Sequence, residues 1–344
     1  EFIYFAQTAN GVVEAGYFTG AYLANGIISV QRHYNRVELV AENFSFYFDP
    51  DSALSRASDS NISNAVLAVQ EIAAEDEETG DLLIKADKIF LGENLLQIKF
   101  PLPEGANAET AFTLGSLAED KSKILDTRNY PLNTDLEVEY VYNNPMPKAR
   151  GSADITDARN VSIKVLHSLI AMPENDFEPR FADPRAGSFD TQVTDLTSLS
   201  PTPYRDLVHR WNLVKQDPDA AMSDPVEPIT WWIENTAPVE WRDLIRDSAL
   251  EWNKAFETAG FTNAVVVKVQ PDDADWDYGD IRYNVLRWTS SPQPPFGGYG
   301  PSFVNPRTGQ ILGADVMLEA SFMNRHASAK WLLEDGFNAI EHNP

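Results

Sequence analysis

Alternation of apolar and polar positions governs the first 150 residues. Runs at 2–5, 26–30, 37–40 and 44–48, then at 82–86, 95–100 and 136–142, mix aromatic and β-branched residues at strand length. Those at 44–48 and 136–142 alternate cleanly, as strands with one buried and one wet face do. The acidic turn 75–81, ending in Thr79-Gly80-Asp81, is expected to close a hairpin. The run 65–74 fits a strand or a short helix equally well.

Pro145 and Pro147 break the pattern, and a boundary is expected there. One more strand is predicted over 161–170. Residues 171–227 are proline-rich and aperiodic, which predicts an irregular connector with a strand around 205–214. From 227 the period changes. A strand at 229–234 leads to a helix capped by Asn235 or Thr236, with Pro238 and Glu240 in its first turn. Trp241, Leu244, Ile245, Ala249, Trp252, Ala255, Phe256 and Ala259 form its apolar stripe, and Gly260 suits its C-terminus. Strands follow at 264–269 and 283–288, then a hairpin of 300–304 with 311–318, then a helix over 322–333. The predicted class is α+β: a β-rich domain at 1–160, a strand plus connector at 161–226, and an α/β sandwich at 227–344.

Charge narrows the partners. With 52 acidic against 27 basic residues the net charge is −25, which repels nucleic-acid phosphates and anionic membranes. No apolar run reaches the ~20 residues of a membrane span, and the N-terminus carries no signal-peptide pattern. With no cysteine, disulfides and thiolate chemistry are excluded. Nothing in the sequence sets an oligomeric state.

The search for chemistry is mostly negative. There is no phosphate loop, no dinucleotide fingerprint and no nucleophile elbow; the glycines at 297, 298 and 300 precede no helix and read as a loop. Zinc commonly needs two histidines one helical turn apart, yet His33, His167, His209, His326 and His342 are never closer than 16 positions. Each reads as structural. The acidic run 272–280 invites a calcium reading but lacks the glycine and glutamate of an EF-hand, so a solvated turn is expected.

Five runs then point one way. Residues 181–189 fit D-P-R-x-G-x-F, and 217–229 fit D-P-x-A-x-x-S-x-P-V-x-P-I. Residues 251–261 fit W-N-x-A-F-E-x-A-G-[FY], 280–285 fit D-[IV]-R-Y-x-V, and 305–311 lie on D-P-R-[TS]-G-E-I. In this order they resemble a family of large bacterial zinc-dependent metalloproteases of the metzincin clan, which carry a β-rich domain ahead of the protease domain. The resemblance implies a metzincin-like α/β subdomain, a peptide or protein substrate, and a secreted or periplasmic location. It also implies a zinc cofactor on H-E-x-x-H-x-x-G-x-x-H, a motif this sequence does not contain. The chain is therefore expected to be a fragment, inactive alone and contributing no catalytic residue or metal ligand. In metzincins the last strand before the catalytic helix lies at the sheet edge and pairs with the substrate. The resemblance thus implies a substrate-binding edge strand at Gly313, Ala314, Asp315 and Val316, matching the affinity of extended peptides for unpaired strands. Two alternatives stand beside it: a non-catalytic binding or assembly module on the same scaffold, and a glycan-binding protein, suggested only by the eight tryptophans.

Overall fold

The computed structural model describes residues 1–58, 60–99, 107, 110–292, 294 and 296–323. Strands dominate and helices are few, so the mixed, strand-rich class is as expected. The helix predicted over 322–333 falls almost wholly outside the described residues, as do His326 and His342.

The first sheet has nine strands. They are β1 (Phe2–Asn10), β2 (Tyr22–His33), β3 (Arg36–Ala41), β5 (Ala65–Glu75), β6 (Leu82–Ile84), β7 (Ser116–Leu117), β8 (Lys123–Asn129), β9 (Asn133–Asn143) and β10 (Asn160–Ala171). The pairs along the main path are antiparallel, in the order β6-β5-β3-β2-β1-β10-β9-β7, with β8 also on β9. The ambiguous run 65–74 is thus a strand. The predicted strand at 95–100 forms no regular element over its described residues 95–99.

β10 lies between β1 and β9, each pairing with it along most of its length. The boundary expected at residue 160 is therefore wrong; the first sheet needs its sequence up to Ala171. The break around Pro145 is only a hairpin connection, and Pro signals a turn there without signalling a domain end.

One face of this sheet carries the main core. Tyr4, Leu136, Val138, Tyr140 and Ile163 pack there with Ile89 and Phe90 of helix α1 (Asp87–Phe90) and with Leu96, Ile98 and Leu114. The opposite face is also dry, because the second sheet sits on it. Ile3, Phe5 and Ile170 form a cluster with Ile281 and Phe303 from the C-terminal part. Phe5 meets Phe303 edge-on at 4.4 Å between ring centroids. Strands buried on both faces read as nearly continuous apolar runs, as 2–5 does.

The connector holds only short ladders. β4 (Phe46–Tyr47) pairs in parallel with β12 (Thr194–Asp195), and β11 (Asp190–Thr191) pairs with β13 (Leu207–Val208). The strand predicted at 205–214 divides into β13 and β14 (Arg210–Trp211). Phe46 is exposed, so the run 44–48 alternates without lying on a core face.

The second sheet orders β14-β20-β17-β15-β16, where β15 is Ile229–Ile233, β16 Val265–Val269, β17 Asn284–Thr289 and β20 Gln310–Glu319. All four of these neighbouring pairs are parallel. β18 (Gly298–Tyr299) and β19 (Ser302–Val304) run antiparallel along the other side of β20. Between β15 and β16 come α2 (Val239–Leu250) and α3 (Trp252–Thr258). The cap is Pro238, with no side-chain hydrogen bond, and neither Asn235 nor Thr236 takes that role. Ile245 and Ala249 pack with Ile233, Leu286 and Trp288. Leu244 and Trp252 leave the expected stripe, at 55% and 66% exposed, and the helix breaks at Glu251 between them. No helix of the described residues is long and apolar enough to cross a membrane.

Candidate functional site: the edge ribbon and the seam behind it

The four residues expected at a substrate-binding edge are interior. β20 is flanked by β14 and β17 on one side and by β18 and β19 on the other. Gly313 pairs with Phe303, and a Cβ placed on it would lie 2.9 Å from Ile281 Cδ1 and 3.0 Å from the Ile281 carbonyl oxygen. Glycine is needed there for packing against Ile281, so it leaves no room for a substrate backbone. The amide of Ala314 donates to Asn284 Oδ1 at 3.0 Å. Val316 packs into the core beneath α2. Asp315 is fully buried; its amide donates to the Pro301 carbonyl, and its Oδ1 accepts from Val285 N at 3.3 Å.

The outer strand on this flank is the ribbon Gly298–Val304, which no described strand pairs on its far side. The sequence held a signal for this. β20 is nearly continuous in apolar residues from Ile311 to Leu318, the pattern of a strand buried on both faces, whereas 297–300 is glycine-rich and partly exposed. The pattern shows the hairpin, and the outer arm is the ribbon, not β20.

The first sheet walls this ribbon. Phe18, in the β1–β2 connection, meets Tyr299 edge-on at 5.0 Å and Phe296 at 4.4 Å. Asn25 Nδ2 donates to the Val304 carbonyl at 3.0 Å. Gly20, at φ +76°, turns the connection where a side chain would strike Met317.

Behind the ribbon, polar groups fill the seam between the sheets. Asn133 Nδ2 donates to the Gly279 carbonyl at 2.8 Å and to Asp135 Oδ1 at 2.7 Å, while its Oδ1 accepts from Ile281 N at 3.1 Å. Asp277 accepts from Arg128, from Tyr130 Oη at 2.7 Å and from Gly279 N at 2.8 Å. Burial opposes ionisation of Asp277, but these donors outweigh it and its carboxyl stays below the usual range. Asp280 is fully buried and grips the Arg282 guanidinium at 2.6–3.2 Å. The acidic run 272–280 is therefore not wholly solvated: its C-terminal half docks on the first sheet, and Asp272, Asp273 and Asp275 remain at the surface.

Two carboxyl groups in the seam lack full partners. Asp135 and Asp315 are both 0% exposed, and the Oδ2 of each has no hydrogen bond among the described residues. Burial pushes both up to about 7, against the nearby Ser168 hydroxyl and the Asn133 hydrogen bond at Asp135 and against the charge of Arg287 near Asp315. Arg287 stacks on Tyr278 at 3.5 Å and faces Glu234 at 3.7 Å.

The D-x-R residues of the motif runs have a local role. In Asp183/Arg185 and Asp280/Arg282, the aspartate Oδ1 accepts the amide two residues on and the carboxylate grips the arginine fork. Asp157/Arg159 repeats the arrangement outside the motifs. These are turn clamps.

The described histidines do not converge. His33 is exposed beside Glu38, His209 bonds Thr191 at 2.9 Å, and His167 is buried between Tyr4 and Tyr140. Among the described residues no group of three His, Cys, Asp or Glu is placed to hold a metal ion. The residues described do not fit zinc, and no catalytic step is assigned to them.

Among curated proteins and among solved structures, nothing matches the chain. A family model matches residues 20–216, from the second strand of the first sheet to just beyond β14, without a break at residue 160. The match covers more than half of the sequence, and the chain belongs to that family, DUF5117, a domain of unknown function.

Proposed function

We propose that this chain supplies the substrate-facing part of a zinc-dependent metallopeptidase of the metzincin clan, acting on peptides or proteins in a secreted or periplasmic setting. The metal and the water-activating glutamate belong to residues outside this sequence. Supporting the reading are the five motif runs in their expected order and, above all, the antiparallel ribbon Gly298–Val304 flanking a parallel sheet. An unpaired outer strand offers N–H and C=O groups that an extended peptide can complete. In this reading Phe18 of the β1–β2 connection and Asn25 of β2 form one wall of the peptide cleft.

The test compares two polypeptides on one fluorogenic peptide: these 344 residues and the full product of the parent gene. The full product is expected to cleave it, with activity abolished by a chelator and by replacing the glutamate of its H-E-x-x-H motif. The 344 residues alone are expected to be inert even with added zinc. A full product without chelator-sensitive cleavage, or cleavage by the shorter chain, overturns the proposal. The second reading, a binding module without catalysis, draws support from an aromatic cleft in the family-matched region.

A further inference from the structure

That cleft, of about 320 Å³, opens where the connector meets the turn Pro306–Arg307 of the second sheet. Its walls include Phe46, Tyr47 and Phe181, and Arg205 lies among them. The guanidinium carbon of Arg205 is 3.8 Å from the Tyr47 ring centroid and 4.4 Å from that of Phe181. At those distances the cation is held over both aromatic rings, and the N–H donors of the fork are left for other partners.

Those donors have no hydrogen bond or ion pair among the described residues, in a chain with 52 carboxylates. The nearby acids are engaged elsewhere. Asp195 accepts from Thr197 and Ser198, and Asp206 Oδ1 accepts from Val193 N at 2.9 Å. Arg307, the other cation of the cleft, is held by Glu1 at 2.6 and 3.0 Å. The walls are fixed by main-chain pairing: β4 on β12, Phe181 with Leu207, and Arg205 N to the Val193 carbonyl at 2.8 Å.

We propose that this cleft binds a carboxylate carried on an apolar group, with the Arg205 fork taking the two oxygens in its plane and the aromatic rings covering the apolar part. A guanidinium presents its N–H donors along its edge, and a planar carboxylate matches that edge with two parallel hydrogen bonds. One cation without an ion pair among the described residues, sharing only the field of Asp195, suits a single negative charge, and the net charge of −25 disfavours a multiply charged phosphate. The carboxylate could be a peptide C-terminus or a small organic acid. The inference does not depend on the peptidase proposal, because it rests on Arg205, Tyr47 and Phe181, none of which belongs to the edge ribbon.

Isothermal titration of the full 344-residue chain tests it with acetyl-phenylalanine, its amide, and acetyl-Ala-Ala-Phe as free acid and as amide. Each free acid is expected to bind at least ~10-fold more tightly than its amide, the usual margin for losing a charge-assisted pair. Arg205→Gln is expected to remove that preference, and Arg205→Lys to keep only part of it, since lysine retains charge without the fork. A tripeptide acid that outbinds acetyl-phenylalanine assigns the site to peptide C-termini; equal affinities assign it to the small acid, and both outcomes support a carboxylate site. Equal binding of acid and amide by the unmodified chain overturns it, as does the absence of heat with every free acid at millimolar concentration. The acid–amide comparison needs no variant, so a misfolded Arg205→Gln protein leaves the test intact.

Discussion

His167 and Asp135 sit one position apart in the β9–β10 ladder, where His167 pairs with Leu136 and Ser168 with Asp135. They face opposite sides of the sheet and meet opposite conditions. On the core side, Tyr140 gives its one proton to the Phe90 carbonyl at 2.6 Å, so it can only accept from His167 Nε2, 2.9 Å away. Nδ1 then accepts from Tyr4 Oη at 2.8 Å, and every polar atom of the imidazole is satisfied as the neutral ring. On the seam side, among the described residues, Asp135 and Asp315 keep one oxygen each without a hydrogen bond, and Arg287 Nη1 and Nε likewise have none, the latter meeting Glu234 only as an ion pair at 3.7 Å. The contrast belongs to these two sites and not to the whole faces, since the buried Tyr142 hydroxyl on the core side also has no hydrogen bond among the described residues.

The two sites also respond to pH in opposite senses. Burial lowers His167 from 6.5 to about 3. Its contribution to stability is complete above pH 6.5 and is lost as pH falls toward 3, because only the unfolded chain takes up the proton. Asp135 and Asp315 are raised from 3.8 to about 7, so their contribution is complete below pH 3.8 and is lost as pH rises through 7. The largest expected effect follows from the first. His167→Leu should cost about 2–4 kcal/mol at pH 7, since it strands the Tyr4 hydroxyl in the core. It should also flatten the decline in stability between pH 6.5 and 4.5. Urea unfolding of both proteins across that range checks this, and parallel slopes would show that His167 titrates normally.

The seam predicts the reverse sign. Asp135→Asn and Asp315→Asn should each stabilise the protein at pH 8, by about 1–3 kcal/mol, with the gain shrinking toward pH 5. The double variant should gain less than the sum, because each charge disfavours the other. If either variant loses stability at pH 8, its carboxylate has a partner that the hydrogen bonds above do not include. Breaking the satisfied part of the seam is a smaller matter. Arg128→Met, which frees Asp277 and Glu137, should cost about 1–2 kcal/mol and lose part of that cost in high salt.

Residue pattern made most of the two sheets legible, because a strand with one or two dry faces writes its burial into the sequence. β1, β2, β3, β9 and β10 all lie on predicted runs, and so do β15, β16, β17 and β20. β8 was missed: its residues Lys123, Asp126 and Arg128 mostly face solvent or ion-pair partners and carry no apolar alternation. Pairing order was not legible. Nothing local in 160–171 says that it will sit between β1 and β9, and that ignorance produced the false boundary at 160. The seam was unreadable for the same reason. Asp135 lies in a strand and Asp315 in another, 180 positions on, and only the stacking of the sheets brings both out of water. Arg205 likewise looks like any surface arginine until its guanidinium carbon is seen over the Tyr47 and Phe181 rings.

Gly313 gives the smallest and most discriminating contrast between seam and edge. If the residue served an approaching peptide, Gly313→Ala would impair peptide binding and leave the fold untouched. The structure predicts the opposite. The added methyl meets the end of the Ile281 side chain, which can turn, and the Ile281 carbonyl, which must shift by a few tenths of an ångström. Gly313 is an extended β20 residue, so alanine gains in strand propensity what glycine lacks and offsets part of the strain. The net cost should be about 1 kcal/mol, seen as a lower denaturation midpoint. Extended-peptide binding along Gly298–Val304 should change by less than ~2-fold, since that surface lies on the far side of β19. Loss of peptide binding without loss of stability would return the edge to β20.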